Sequence, residues 1–323
     1  MERLRGWGAR MRALAAALER PRAPEPLPAL IDRRRVYVLP TGFGLFYAAL
    51  VLVMLVGALN YNNNPALLLA LLLGASGLAS LIATHLQLSG LRVEAASAEP
   101  VQAGQPLALR LSLASRDGRT RRGLRADLDG AQAWAAVPAN GSAELVLPLP
   151  TRRRGWLGPG RIRLSTTQPL GLVRAWSRVW PRQPLLVYPR PEPSPPPLPD
   201  SAGSLGRGRP DPLGEEPHQL RAYRPGDPPR TIAWKHSARR DALVVREFER
   251  AEGRELVLDW RDLPALAVEA RISRLAAWVD QAEREGRRYR LRLPAQDDIG
   301  PGQGPEHRHA CLRALALLPD GAA

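Results

Sequence analysis

The feature that most constrains this chain is the stretch 36–91. Its 56 residues contain no Asp, Glu, Lys or Arg, although 24% of the whole sequence is charged. Two apolar runs, 42–59 and 65–83, lie within it and are separated by the five residues Asn60-Tyr-Asn-Asn-Asn64. A helix needs roughly 17–25 residues to cross a bilayer core of about 30 Å. We therefore predict a two-helix transmembrane hairpin over residues 42–84.

Two other interpretations fit these runs less well. Buried helices of a soluble core usually keep a polar stripe, whereas residues 45–53 are apolar on every side. A cleaved signal peptide has a shorter apolar region, and here 41 residues precede the first run.

The net charge of +15 is concentrated on both sides of the predicted hairpin. Residues 1–41 carry nine Arg against four acids, residues 84–190 carry 16 Arg against six acids, and the remainder is balanced. Arginine accumulates on the cytoplasmic side of membrane spans, where anionic lipid attracts it. Two spans return the chain to its starting side, so this predicts a membrane protein with both termini cytoplasmic and the lipid bilayer as its first partner. No nucleic-acid-binding motif is present, so we exclude that function.

The tail 1–41 should contain a basic amphipathic helix over residues 1–20. Apolar side chains recur there at spacings of three and four, at Leu4, Trp7, Met11, Leu14 and Leu18. Such a helix lies in the headgroup plane or packs on the protein's own domain, and periodicity alone favours neither. Arg33, Arg34 and Arg35 would then fix the start of the first span.

Residues 85–190 predict a small antiparallel β-sandwich. Apolar and polar residues alternate in 107–113, 144–148 and 161–165, and turn residues separate these runs at Asp117-Gly118, Asn140-Gly141 and Gly158-Pro159-Gly160. Residues 185–188 would form the last strand. Seven prolines in 189–199 then predict a solvent-exposed, extended linker that continues to residue 217.

The remaining segment, 218–323, has an α/β pattern. We expect strands at 231–235, 243–248, 256–258 and 289–293. A helix capped by Asp262 and ended by Gly286 would follow the third strand, and a last helix would cover 305–318. This order predicts a small, mostly parallel sheet flanked by helices.

One stretch in this segment resembles a known family. Residues 220–239 read Leu-Arg-Ala-Tyr-Arg-Pro-Gly-Asp-Pro-Pro-Arg-Thr-Ile-Ala-Trp-Lys-His-Ser-Ala-Arg. The likeness extends to 244–249 and 256–259, to the predicted hairpin, and to 169–172 and 188–190 at the end of the β-domain. The pattern is similar to the bacterial domain of unknown function 58. The resemblance implies a membrane-anchored protein with a cytoplasmic domain similar to von Willebrand factor A domains. Relatives are often encoded beside MoxR-type AAA+ ATPases and transglutaminase-like membrane proteins, and the family has no established reaction.

The candidate site is this motif, and it has two possible roles. Its residues either form an ion-paired brace that fixes the segment on the sheet or form a recognition surface for a partner. We favour the brace, because exposed charge pairs alone usually contribute little. The residues concerned are Arg221, Tyr223, Pro225, Gly226, Asp227, Arg230, Trp234, Lys235, Arg239 and Glu247.

A metal site is not expected. By resemblance, A domains that bind Mg²⁺ carry Asp-x-Ser-x-Ser after the first buried strand, and the matching positions here are Asp259, Arg261 and Leu263. Both hydroxyls are missing, and we expect the Arg261 guanidinium to occupy the cation position. His307 and Cys311 are one helical turn apart but lack the further ligands that zinc needs. We predict no cofactor, no catalytic residues and a buried, inert Cys311.

The sequence therefore predicts a multidomain α+β membrane protein. Its expected function is that of a non-enzymatic adaptor that presents a degenerate von Willebrand A-like domain to a partner, by resemblance a MoxR-type ATPase. The alternative is a regulatory subunit of an envelope-building enzyme, either transglutaminase-like or peptidoglycan-related.

Overall fold

The structure is a computed structural model that describes residues 23–199, 216–222, 244–249, 255–294 and 296–319. The chain divides into two compact units, Met1–Val187 and Tyr188–Ala323. The predicted amphipathic helix at 1–20 lies outside the described residues.

Two long apolar helices form the hairpin of the first unit, α1 (Gly42–Asn60) and α2 (Asn64–Leu88). The side chain of Thr41 accepts a hydrogen bond from the Gly44 amide at the start of α1, and the side chain of Asn63 accepts one from the Ala66 amide at the start of α2. The two predicted helices are confirmed, with α2 five residues longer than the second apolar run at its C-terminal end. Both are long and apolar enough to be candidate membrane spans.

The rest of the first unit is built from strands. In chain order they are β1 (Ala29–Leu30), β2 (Tyr37–Pro40), β3 (Leu91–Ser97), β4 (Val101–Gln102), β5 (Leu107–Ser115), β6 (Arg121–Leu128), β7 (Ala131–Val137), β8 (Ser142–Leu149), β9 (Gly155–Leu157), β10 (Ile162–Thr166), β11 (Val173–Val179) and β12 (Leu185–Tyr188). One antiparallel sheet has the order β1-β3-β5-β8 and a second has β2-β11-β10-β6-β7. A small sheet has the order β4-β12-β9.

One hydrophobic core lies between the buried faces of the two larger sheets. The alternating leucines of β5 are fully buried there, and they meet residues of β6, β10 and β11 such as Leu124, Leu164 and Ala175. Burying a leucine side chain contributes about 1.5–3 kcal/mol. The period-two pattern therefore selects the inward face of each strand, and the antiparallel sheets predicted from it are confirmed.

The segment before the hairpin belongs to these sheets. β1 pairs with β3, and β2 pairs with β11. Arg35 forms an ion pair of 2.6 Å with Glu25 and donates to the carbonyl of Arg178 at 3.0 Å. The sequence pattern predicted only a basic tail here, because strands of two and four residues are too short to show alternation.

The second unit contains a strand–helix–strand element. β13 (Glu216–Ala222) and β14 (Val244–Glu249) pair antiparallel. β15 (Leu256–Asp259), β16 (Tyr289–Arg292) and β17 (Ile299–Gly302) form a separate sheet in which β15 and β16 are parallel and β17 is antiparallel. The helices are α3 (Val268–Arg284), which connects β15 to β16, and α4 (Pro305–Leu317). The prediction of a mostly parallel sheet is wrong for the described strands, since only one pair is parallel.

The predicted cap of α3 is also wrong. Asp262 belongs to a 3-10 turn, Trp260–Asp262, and α3 begins later, after Ala267, without a side-chain cap. The predicted end of the helix is confirmed, because Gly286 adopts a φ of +65° just beyond it.

The proline-rich segment contacts α3. Glu192 accepts hydrogen bonds of 2.8 and 3.0 Å from Arg274, and the carbonyl of Pro196 accepts one of 2.9 Å from Trp278. These contacts contradict the prediction of a solvent-exposed linker for this part of 189–199. The Pro196 carbonyl and the Glu192 carboxylate thus satisfy donors on the helix.

Candidate functional site

The first candidate site is the place where the hairpin meets the β-sheets. We call it the hairpin base and define it by Thr41, Gly44, Arg121, Gly171 and Leu172. The amide of Thr41 donates to the carbonyl of Leu172 at 2.9 Å, and its hydroxyl lies 2.7 Å from the carbonyl of Gly171. A Cβ at Gly44 would lie only 1.8 Å from the Leu172 carbonyl oxygen. The first turn of α1 therefore rests directly on the backbone of the loop before β11.

Arg121 holds the other helix of the hairpin. Its Nη1 donates to three carbonyl oxygens at the end of α2, those of Leu86, Gln87 and Ser89, at 2.9, 2.7 and 2.8 Å. The last carbonyls of a helix lack intrahelical partners and carry partial negative charge, so a buried guanidinium satisfies both needs. Arg121 itself is 0% exposed.

The rest of the Arg121 guanidinium is also paired. Nε donates to the Ser115 hydroxyl at 3.2 Å, and Nη2 reaches both carboxylate oxygens of Asp117 at 2.9 Å. Burial opposes ionisation of Asp117, but the Ser115 hydroxyl and the Arg121 guanidinium outweigh it and hold the pKa of Asp117 below its ordinary value. One charged residue of β6 thus joins the end of α2 to the turn after β5.

The outer surface of the hairpin is apolar and open. Within the most apolar stretch of 18 residues in each helix, only 11% is buried. Phe46, Val53 and Leu68 are 65%, 69% and 70% exposed. The two helices contact each other through polar groups at one point, where the Tyr47 hydroxyl lies 2.7 Å from the carbonyl of Leu73. A helix in the core of a soluble protein would instead be mostly buried.

The family-like motif lies in the second unit, and only part of it is described. The ribbon of β13 and β14 places Arg221 opposite Val245 and Glu247 opposite Gln219. Arg221 and Glu247 therefore occupy diagonal positions of the ribbon, and their role as a brace or as a recognition surface stays a prediction. The other motif positions lie outside the described residues, namely Tyr223, Pro225, Gly226, Asp227, Arg230, Trp234, Lys235 and Arg239.

The position of the degenerate metal site is occupied differently from what we predicted. Asp259 ends β15, and its Oδ1 accepts a hydrogen bond of 2.9 Å from the backbone amide of Arg261. In the part of the chain that the structure describes, the guanidinium that pairs with its carboxylate belongs to Arg292 on β16, at 3.9 Å, and not to Arg261. Leu263 is buried in the turn that follows. The described residues contain no group of three or more His, Cys, Asp and Glu side chains that could hold a metal ion.

Cys311 has no base available to it in the described part of the second unit. Its sulfur is 3.7 Å from His307 Nε2, but that nitrogen also lies 2.9 Å from the carbonyl oxygen of Tyr289. A carbonyl only accepts hydrogen bonds, so Nε2 carries the hydrogen and does not accept the thiol proton. Burial, with a smaller effect of Glu283, raises the pKa of Cys311 to about 12. This geometry does not produce a thiolate nucleophile.

The sequence did not single out Arg121, Thr41 or Gly44. Arg121 is one of 16 arginines in its segment, and its main partners are backbone carbonyls that leave no trace in a sequence. Only Leu172 was weakly indicated as important, because residues 169–172 belong to the family-like pattern.

These features define a class of protein: an apolar two-helix hairpin attached to antiparallel β-sheets and followed by an α/β unit. Comparison with known families finds a match within the second unit. A family model described as "Protein of unknown function DUF58" matches residues 219–265, a range that includes β14 and β15. This match supports the resemblance seen in the motif. No curated protein and no solved structure matches the chain.

Proposed function

We propose that this protein is a non-enzymatic adaptor anchored in the bacterial inner membrane. The hairpin would span the bilayer, and the β-sheets and the α/β unit would lie on the cytoplasmic side. There the α/β unit, which we infer to be a degenerate von Willebrand A-like domain, would bind a protein partner. By family resemblance the partner is a MoxR-type AAA+ ATPase.

The observation that carries this proposal is the combination of an exposed apolar hairpin with a tightly bonded base. Exposed apolar patches on soluble monomers rarely exceed a few hundred Å². Two long helices with open apolar surfaces need lipid or a partner to cover them, and their lengths suit a bilayer. At the base, Arg121 and Thr41 fix both helices to the sheets, so the attachment is part of the fold.

The state of two candidate reactive groups supports the non-enzymatic part of the proposal. Within the described residues, Cys311 is protonated and faces a donor, and Asp259 is engaged by an amide and a guanidinium. The parallel pair β15 and β16, joined by α3, supports an A-like α/β unit.

A labelling experiment tests the orientation. Tyr61, between the two helices, is 81% exposed, whereas the native Cys311 is buried and its thiol is protonated at neutral pH. In spheroplasts we expect an impermeant maleimide to label Tyr61→Cys from outside and to leave the wild-type protein unlabelled. Glu99→Cys is the matched control, because the Glu99 side chain is 87% exposed in the β-sheet unit. It should be labelled only after the membrane is permeabilised, and the reverse pattern would contradict the proposed topology.

A pull-down tests the adaptor role. We expect the full-length protein in detergent to retain a MoxR-type ATPase, and we expect Asp227→Ala and Lys235→Ala to reduce its recovery at least severalfold. Arg284→Ala is a matched control, since it removes an exposed charge outside the motif. Equal recovery with all three variants would place the contact elsewhere. Recovery of a transglutaminase-like or peptidoglycan-active enzyme instead would favour the regulatory-subunit alternative.

A further inference from the structure

A recess of about 250 Å³ lies on the outer face of the five-stranded sheet. Three arginines line it, Arg125, Arg163 and Arg174, together with Trp134 and the single acid Asp127. Asp127 accepts a hydrogen bond of 3.3 Å from Arg125, so three positive charges against one negative charge leave an excess of two. The size is slightly below that of sites for drug-sized ligands, so it suits a small charged group. We call this the arginine recess.

Aromatic rings hold two of these arginines in place. The guanidinium carbon of Arg125 lies 5.7 Å from the centre of the Trp134 ring, and that of Arg163 lies 5.2 Å from the centre of the Trp176 ring. Strand register explains the arrangement, because Arg125 is opposite both Trp134 and Ser165 on neighbouring strands. Stacked guanidinium groups lose less freedom when they bind, and their planar donor pairs match the oxygens of a phosphate.

The recess opens close to the hairpin base. Arg174 is opposite Leu39, three residues before the first residue of α1, which corresponds to about 10 Å of extended chain. Thr166 and Thr167 line the recess and lead directly into the loop 168–172 that contacts Thr41. If the hairpin spans the bilayer, the headgroup layer extends about 5–8 Å beyond the hydrocarbon core. With that topology, the recess would begin within about 10 Å of the first span, close to the lipid phosphates.

We propose that the arginine recess binds the phosphate of an anionic lipid headgroup. This inference rests on the membrane anchorage proposed above and extends it, because it gives the β-sheet unit a site for a specific class of lipid. The guanidinium groups of the recess, held at a fixed distance from the hydrocarbon core, would neutralise the phosphate. Trp134, which is 64% exposed, would lie at the membrane–water interface, where tryptophan is enriched.

The test uses the full-length protein in a neutral detergent. It is titrated with a short-chain phosphatidylglycerol, with the matching phosphatidylcholine and with inorganic phosphate, and binding is read from the shift in thermal unfolding. We expect saturable binding of phosphatidylglycerol and much weaker binding of phosphatidylcholine. Arg174→Gln should weaken phosphatidylglycerol binding about fivefold, and the exposed position of Arg174 means that this variant should still fold.

Arg110→Gln is the matched control, because Arg110 is half exposed on the other large sheet and its removal changes the net charge equally. If both variants weakened phosphatidylglycerol binding equally, binding would depend on the net charge of the protein and not on the recess, and the proposal would be overturned. Inorganic phosphate that binds as tightly as the lipid, and is lost in Arg174→Gln, would assign the recess to free phosphate instead. Membrane insertion is scored separately by flotation with vesicles. Protein that floats but shows no lipid preference refutes only this inference, whereas protein that does not float refutes the proposed anchorage.

Discussion

Replacing Arg121 by methionine should lower the free energy of unfolding of the first unit by about 3 kcal/mol or more. The change removes the donor of three carbonyls at the end of α2, of which that of Ser89 is in a buried contact and those of Leu86 and Gln87 are half-buried, and an unsatisfied buried group costs about 1–3 kcal/mol. Asp117 also loses its bidentate partner, but it is 39% exposed and regains water. Removing one member of a buried charged pair typically costs about 3–5 kcal/mol, and the exposure of Asp117 argues for the lower end.

The measurement is thermal unfolding of the full-length protein in detergent. For a unit of this size, a loss of about 3 kcal/mol corresponds to a decrease in Tm of about 6–12 °C. Arg122→Met is the matched control, because the neighbouring side chain is exposed and should change Tm by less than about 2 °C. Arg121→Lys should be intermediate, since an ammonium keeps the charge but lacks the planar fork. A Tm for Arg121→Met equal to that of the control would show that the guanidinium is dispensable.

The same contact predicts a dependence on pH. The pKa of Asp117 is lower in the folded protein than its ordinary value. Its contribution to stability is therefore complete above the unfolded-state pKa of about 4 and is lost as pH falls through the lower folded-state pKa. We expect Asp117→Asn to be less stable than the wild type at neutral pH and to lose less stability on acidification. A parallel loss for both proteins below about pH 4 would assign the acid sensitivity to other carboxylates.

The helices of the hairpin and the long strands could be predicted because their patterns repeat. A long apolar run without charges suits few structures besides a long apolar helix, and four leucines in alternation leave β5 only one face to bury. The strand β15 and the end of α3 could be predicted for similar reasons, the first from a short apolar run and the second from the glycine just beyond the helix.

The contacts that make the site could not be predicted, because they join backbone to side chains that are distant in sequence. Arg121 reaches carbonyls 32 to 35 residues away, and Asp259 faces Arg292 rather than the neighbouring Arg261. The arginine recess could be predicted from the sequence only in part. Arg161, Arg163 and Ser165 alternate with apolar residues, which predicts a polar outer face for β10 but not the aromatic rings that arrange its arginines.

Replacing Gly44 by alanine should be the most damaging small change in the hairpin. The new Cβ would lie 1.8 Å from the carbonyl oxygen of Leu172 and 2.7 Å from its carbonyl carbon. Both are backbone atoms, so no side chain can rotate away, and α1 has to move off the loop. That movement breaks the hydrogen bond from the Thr41 amide to Leu172. Overpacking typically costs about 1–3 kcal/mol, and the lost hydrogen bond argues for the upper end.

Gly42→Ala is the matched control for this prediction. It adds the same methyl group two residues earlier in the same helix, where nothing lies within 4 Å of the new Cβ. Alanine also favours helix over glycine by up to about 1 kcal/mol, so this variant should unfold at the wild-type temperature or slightly above it. Gly44→Ala should unfold about 6 °C or more below it. If the two variants had the same Tm, the contact between α1 and the loop before β11 would not stabilise the protein. A large difference would show that this contact couples the hairpin to the sheets.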